Sequence, residues 1–112
     1  MAPETEIKWS ENSSKNLRCI YNYISADSEF YALRFVTKLV LATEGQLKKF
    51  PLVGRKVPEF NESDLDFLRE LIFKNYRIIY NPKKAPKQIT IIAVLNAKMD
   101  IPRHLKKSWF ID

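Results

Sequence analysis

Cysteine and histidine are scarce in this chain: 112 residues include one of each. A lone Cys19 excludes an internal disulfide and suits a reducing cytosol. Because Cys19 lies in an apolar helical pattern, we expect a buried, unreactive thiol rather than a nucleophile. There is neither a long uncharged apolar run nor a basic leader followed by an apolar segment. We therefore expect a cytoplasmic protein without a membrane segment.

Acidic residues are fewer than basic residues in this chain. The chain has 19 Lys and Arg against 13 Asp and Glu, so its formal net charge is +6 and its pI about 9.5. This excess indicates an acidic partner, either nucleic acid, an acidic protein segment or an anionic surface, although general solubility would also explain it. The length predicts one domain over residues 1–112, with 97–112 as a basic and aromatic tail.

Runs of β-branched and aromatic residues predict three consecutive antiparallel strands. We place them at Phe67–Phe73, Tyr76–Asn81 and Gln88–Leu95. Lys74-Asn75 would form a tight hairpin turn between the first two strands, since Asn tolerates left-handed backbone.

The hairpin register predicts a sheet that is largely apolar on both faces. Arg69 would lie opposite Tyr80, and Ile72 opposite Arg77. A sheet of this kind must be covered on both sides. Helices upstream can cover one face, and the tail, a partner or a ligand would cover the other.

The first half of the chain predicts a strand and two amphipathic helices. The strand is Glu6–Trp9, and Ser10 would cap the first helix. Asp27 or Ser28 would cap the second helix, which runs to about Lys49. The fold class is therefore α+β: an N-terminal strand and an antiparallel helical hairpin, packed on an antiparallel sheet that three C-terminal strands complete.

Several basic residues are candidate binding contacts, each with a purely structural alternative. Arg77 could contact a phosphate or a target protein, or it could pair with Glu70 across the hairpin. Arg69 could bind a target or stack on Tyr80. Lys98, after the last strand, is a further candidate contact.

The segment Leu52–Asp66 is typical of a linker, and it contains another candidate. Arg55 could present its guanidinium at the edge of the sheet for binding. Alternatively, it could hold the loop to Glu59 or Glu62.

The tail contributes a histidine and two aromatic residues. His104 is interpreted as an ordinary exposed histidine. Trp109 and Phe110 would either fold back onto the uncovered sheet face or present an anchor to a partner.

Together these pieces resemble the RelE/ParE superfamily of bacterial toxins, the stable halves of type II toxin–antitoxin systems. The resemblance covers nearly the whole chain. Its motifs, in order, are Trp9-Ser10, Tyr23-Ile24, Ser28, Leu47, Phe50-Pro51, Gly54-Arg55, Val57-Pro58-Glu59, Arg69-Glu70-Leu71, Tyr76–Tyr80 and Ile89–Leu95.

The Gly-Arg, Pro-Glu and Arg-Glu-Leu signatures look more like the ParE branch, the plasmid-stabilisation proteins. The resemblance implies an inhibitor of DNA gyrase that arrests growth. It also implies neutralisation by a cognate antitoxin with an acidic C-terminal segment, which folds as it wraps the toxin. Operator DNA would be contacted only through the antitoxin, and neither a cofactor nor a metal is expected.

The RelE branch is the alternative, and its members cut messenger RNA on the ribosome. Such a reaction needs a base, an acid and cations at the phosphate. By resemblance, the candidates for these roles are Arg77, Tyr80 and His104. However, Leu71 stands where a lysine is expected and Asn96 where many relatives carry histidine, so the catalytic set is incomplete. A degenerate, non-toxic module that only binds its antitoxin is a third alternative.

Overall fold

The computed structural model describes residues 5–98 and residue 101. In these residues two helices pack against a five-stranded mixed sheet with strand order β1-β5-β4-β3-β2, an α+β arrangement. None of the described helices is both long and apolar enough to cross a membrane. The elements are β1 (Glu6–Trp9), α1 (Glu11–Ser25), α2 (Glu29–Lys49), β2 (Arg55–Lys56), a 3-10 helix (Pro58–Phe60), β3 (Arg69–Phe73), β4 (Tyr76–Asn81) and β5 (Gln88–Asn96).

Serine side chains cap both helices. The Ser10 hydroxyl accepts a hydrogen bond from the Ser13 backbone N–H at 3.1 Å and donates one to the Ile92 carbonyl at 3.1 Å. The same side chain therefore starts α1 and ties it to β5. Ser28, rather than Asp27, caps α2 by accepting from the Tyr31 N–H at 3.1 Å.

The hairpin of β3 and β4 has the predicted register, with Arg69 opposite Tyr80 and Ile72 opposite Arg77. β3 starts two residues later than predicted, and β5 extends one residue further. In the turn, the left-handed backbone is at Lys74, whose φ is 53°.

The sheet is not wholly antiparallel, which corrects the sequence prediction. β1 pairs in parallel with β5, and Ile7 lies opposite Ile89. Parallel pairing requires a long crossover between the two strands, and the helices with the following strands provide it. At the other edge, Arg55–Lys56 adds a short strand antiparallel to β3.

Each face of the sheet carries its own apolar cluster. On the helical side, Leu39 and Leu47 of α2 pack with Ile78 and Tyr80. On the other side, Val57, Phe60, Leu68 and Ile101 pack against the sheet residues Ile79, Ile92, Ala93 and Leu95. The segment 52–66, predicted to be a linker, thus provides much of the second cover because Val57 and Phe60 turn inward.

Cys19 is exposed, so the prediction of a buried thiol was wrong. Neighbouring residues on an α-helix are separated by about 100° of rotation. Ile20 is buried against the sheet, and this rotation turns Cys19 away from it.

Candidate functional site

The centre of the candidate site is the guanidinium of Arg77 on β4. Its Nε donates to Glu70 Oε1 at 2.6 Å. Its two terminal nitrogens donate to the two oxygens of Glu59, each at 2.7 Å, so that pair is bidentate. The Arg77 side chain is 8% exposed and that of Glu70 is 0% exposed. All three guanidinium nitrogens are therefore already engaged inside the protein.

The second oxygen of Glu70 binds Arg55. The distance from Arg55 Nε to Glu70 Oε2 is 2.7 Å, and the Arg55 side chain remains 61% exposed. The pairing of β2 with β3 explains this contact, since it places Arg55 directly opposite Glu70. The predicted partners Glu59 and Glu62 were therefore wrong for Arg55.

Arg69 and Tyr80 hold in place the segment Leu52–Gly54, which precedes β2 and is called the strap below. One terminal nitrogen of Arg69 donates to the Gly54 carbonyl at 2.7 Å and to the Leu52 carbonyl at 3.3 Å. The Gly54 N–H donates to the hydroxyl oxygen of Tyr80 at 2.9 Å. Tyr80 is fully buried, and this burial raises the pKa of its hydroxyl. These contacts leave the hydroxyl no access to a substrate in solution.

Contacts within this network shift the pKa values of Arg77 and Glu59. Hydrogen bonding to Glu59, and secondarily to Glu70, raises the pKa of the Arg77 guanidinium further above its usual range. In return, the hydrogen bond from Arg77 lowers the pKa of the Glu59 carboxyl. Both groups are therefore charged at neutral pH, and the cluster acts as a fixed ion pair rather than a proton-transfer site.

This lowered pKa predicts a loss of stability in acid. The stabilisation from Glu59 is fully present above the ordinary glutamate pKa of about 4.3, and it is lost as the pH falls through the lower folded-state pKa. We expect Glu59→Gln to lower the free energy of unfolding at pH 7 and to flatten its decline below pH 5. Urea unfolding of both proteins between pH 3 and 7 measures this, and parallel curves would contradict it.

The remaining candidates are less constrained or lie outside the described residues. Lys98 is exposed, and its backbone N–H donates to the Asn96 side chain at 2.9 Å. His104, Trp109 and Phe110 lie outside the described residues. Across residues 5–98 and 101, no three His, Cys, Asp or Glu side chains gather as metal ligands would.

Sequence reasoning missed the bidentate contact between Glu59 and Arg77. Val57-Pro58-Glu59 was recognised only as a motif within an apparent linker. Proline at the start of a 3-10 helix, next to an inward apolar residue, was the available signal that this segment is ordered.

Comparison with known protein families finds a match over most of this chain. The family described as ParE toxin of type II toxin-antitoxin system, parDE, matches residues 7–101. No significant match is found among curated proteins.

Two of the solved structures that match this chain illustrate the shared fold. The chromosomal ParDE toxin–antitoxin system from P. aeruginosa is 19% identical with a TM-score of 0.65, and the match covers 85% of this chain and 98% of that one. The RelBE2 toxin–antitoxin complex from Mycobacterium tuberculosis is 16% identical with a TM-score of 0.62, covering 84% of this chain and 99% of that one. At these identities the likeness concerns the fold, whereas the family match spans most of the sequence. The chain belongs to the ParE toxin family of type II toxin–antitoxin systems.

Proposed function

We propose that this protein is a growth-arresting toxin that inhibits DNA gyrase by binding it, and that a cognate antitoxin neutralises it through an acidic C-terminal segment. The proposal treats the whole chain as one toxin domain. The observation that carries it concerns Arg77 and Tyr80, the two described residues that a RelE-like ribonuclease would need. Both side chains are already hydrogen-bonded to other groups of the protein.

A ribonuclease needs cations that are free to meet a phosphate in the transition state. All the guanidinium nitrogens of Arg77 are bonded to Glu70 and Glu59. Breaking a buried ion pair leaves an uncompensated charge and costs about 3–5 kcal/mol. Recruiting Arg77 to a phosphate would carry this cost, so its position favours a structural role.

The surface charge supports an acidic partner. Arg55 keeps most of its side chain exposed beside the buried network, and Lys98 is exposed after β5. The net charge of +6 suits an acidic antitoxin segment by simple attraction. On this proposal, Arg55 and Lys98 are candidate target contacts, while Arg69 and Arg77 organise the sheet and its strap.

The order in which cellular processes stop tests the mechanism. The protein is induced alone in bacteria, and DNA and protein synthesis are pulse-labelled over the first minutes. We expect DNA synthesis to stop first and transcripts to remain intact. Protein synthesis that stops first, with messenger RNA cut inside translated frames, would overturn the proposal in favour of a ribosome-dependent ribonuclease.

Tyr80→Phe removes only the hydroxyl group, so it distinguishes a structural role of that hydroxyl from a catalytic one. The substitution leaves the buried Gly54 N–H without its acceptor, and such a loss costs about 1–3 kcal/mol. We expect reduced thermal stability but growth arrest as strong as that of the parent protein at equal folded concentration. Growth arrest abolished in a variant that is still folded at 25 °C would indicate a catalytic hydroxyl.

A further inference from the structure

The strand β1 forms an edge of the sheet: in the part of the chain that the structure describes, it pairs with β5 alone. The backbone N–H groups of Glu6 and Ser10 both donate to carbonyls on the β5 side, each at 3.0 Å. Because the N–H groups of successive strand residues point to opposite sides, those of Ile7 and Trp9 point away from β5. The outer side of β1 therefore has donors and acceptors in position for a further strand.

The exposed side chains of β1 carry charges of opposite sign on either side of Ile7. Glu6 and Lys8 are both exposed, and they lie on the same face of the strand because side chains alternate. If a second copy of β1 pairs antiparallel about Ile7, Glu6 of each copy lies opposite Lys8 of the other. The same register sets the outward N–H and C=O groups of Ile7 opposite those of its copy. One register thus satisfies the charges and the backbone hydrogen bonds together.

A second pair of opposite charges lies on α2, beside β1. Glu44 and Lys48 are about one helical turn apart, and together with residues 5–7 they line a concavity of about 370 Å³. The Trp9 indole donates to Glu44 Oε2 at 2.7 Å, which holds this part of α2 over the strand. Two copies related by a two-fold axis at Ile7 would bring Glu44 of one copy towards Lys48 of the other. The charges of α2 therefore match the same arrangement as those of β1.

The opposite edge of the sheet is unsuited to this kind of pairing. Its strand, β2, consists of Arg55 and Lys56, which are both exposed. Two copies that paired through β2 would set cations opposite cations, and like charges directly opposite each other destabilise a sheet. At β1, an acidic peptide would instead meet the carboxylates of Glu6 and Glu44. These charges favour a second copy of the chain as the strand that pairs with β1.

We infer that two copies of this chain associate through β1, antiparallel about a two-fold axis at Ile7, and join their sheets into one. Such an interface uses the same surface of both copies, so every contact away from the axis occurs twice. Ile7 is half-buried against the cluster on the helical side, and Ile7 of the second copy covers part of its remaining surface. The inference concerns the free protein and is independent of the target that it inhibits.

Charge reversal at Glu6 and Lys8 tests the register. Sedimentation equilibrium of the purified full-length protein should give a mass that rises from 13.2 kDa towards twice that value. We expect this rise between about 5 and about 500 µM protein, because self-association depends on concentration. Glu6→Lys sets lysine opposite lysine and Lys8→Glu sets glutamate opposite glutamate, so each should weaken association at least about tenfold. The double variant Glu6→Lys/Lys8→Glu restores opposite charges and should associate within about twofold of the parent protein.

Asp64→Lys is the matched control because Asp64 is exposed, lies outside β1 and undergoes the same change of charge as Glu6→Lys. We expect it to change association less than about twofold, and circular dichroism shows whether each variant is folded. A parent protein that keeps the monomer mass throughout this range overturns the inference. Association that the single reversals leave unchanged, or that the double variant does not restore, also overturns it. If the parent protein is monomeric and the single reversals instead weaken binding of the antitoxin, β1 pairs with the antitoxin and the inference is wrong.

Discussion

Glu70→Ala is expected to lower the free energy of unfolding by about 3 kcal/mol, because it leaves the buried Arg77 guanidinium without one of its two carboxylate partners. Glu70 is itself fully buried, and both of its oxygens accept charged hydrogen bonds of 2.6 and 2.7 Å. The remaining partner Glu59 limits the loss, since it keeps its bidentate contact. Urea unfolding at pH 7 measures the difference.

Arg55→Ala is the control for this prediction because it removes the other partner of Glu70. The Arg55 side chain is 61% exposed although Glu70 is 0% exposed, so water can replace the guanidinium at Glu70 Oε2 when Arg55 is truncated, and we expect a loss of about 1 kcal/mol. We expect the two variants to differ by about 2 kcal/mol, because only Glu70→Ala leaves the buried Arg77 guanidinium short of a partner. Equal losses would mean that the buried pair of Arg77 and Glu70 does not organise the sheet.

Gly54→Ala is expected to destabilise the protein by about 3 kcal/mol through overpacking. A Cβ atom at this position would lie 2.6 Å from both the Glu70 carbonyl oxygen and the Tyr80 hydroxyl oxygen. The first of these atoms belongs to the backbone of β3 and cannot move without displacing the strand. The φ of Gly54 is not positive, so glycine is required here for space rather than for conformational freedom.

The chain's other glycine, Gly45, provides a control for which we expect the opposite change in the free energy of unfolding. A Cβ at Gly45, within α2, would meet nothing within 4 Å. Alanine is favoured over glycine in helices by about 1 kcal/mol, so Gly45→Ala should raise the free energy of unfolding by up to that amount. A Gly54→Ala protein as stable as the Gly45→Ala protein would contradict the close packing of the strap on Tyr80.

Local signals in the sequence were sufficient for the hairpin and the helices. The register of Arg69 against Tyr80 followed from a two-residue turn, because side chains alternate strictly along a strand. The cap at Ser10 followed from a serine placed directly before an apolar helical period, whereas the sequence left Asp27 and Ser28 as alternatives for the second helix and the structure has Ser28. The diagonal pairing of Glu70 with Arg77 was one of two alternatives that this register offered, and the structure contains it.

Long-range contacts could not be predicted in the same way. The parallel pairing of β1 with β5 joins segments about 80 residues apart, and nothing in Glu6–Trp9 encodes its direction. The contact between Glu59 and Arg77 depends on a loop that lacks the period of a helix or strand. The exposure of Cys19 is a different case, because it could have been predicted from its angle of about 100° around α1 relative to the apolar residue Ile20.

Supercoiling by purified DNA gyrase in the presence of excess purified protein tests the central claim most directly. Relaxed plasmid, ATP and gyrase are incubated with the protein, with and without the antitoxin, and the plasmid topology is resolved on a gel. The account predicts that supercoiling stops with the protein alone and resumes when the antitoxin is added. If supercoiling is unchanged by the protein, although expression of the same protein arrests growth, the account is contradicted and the target is not gyrase.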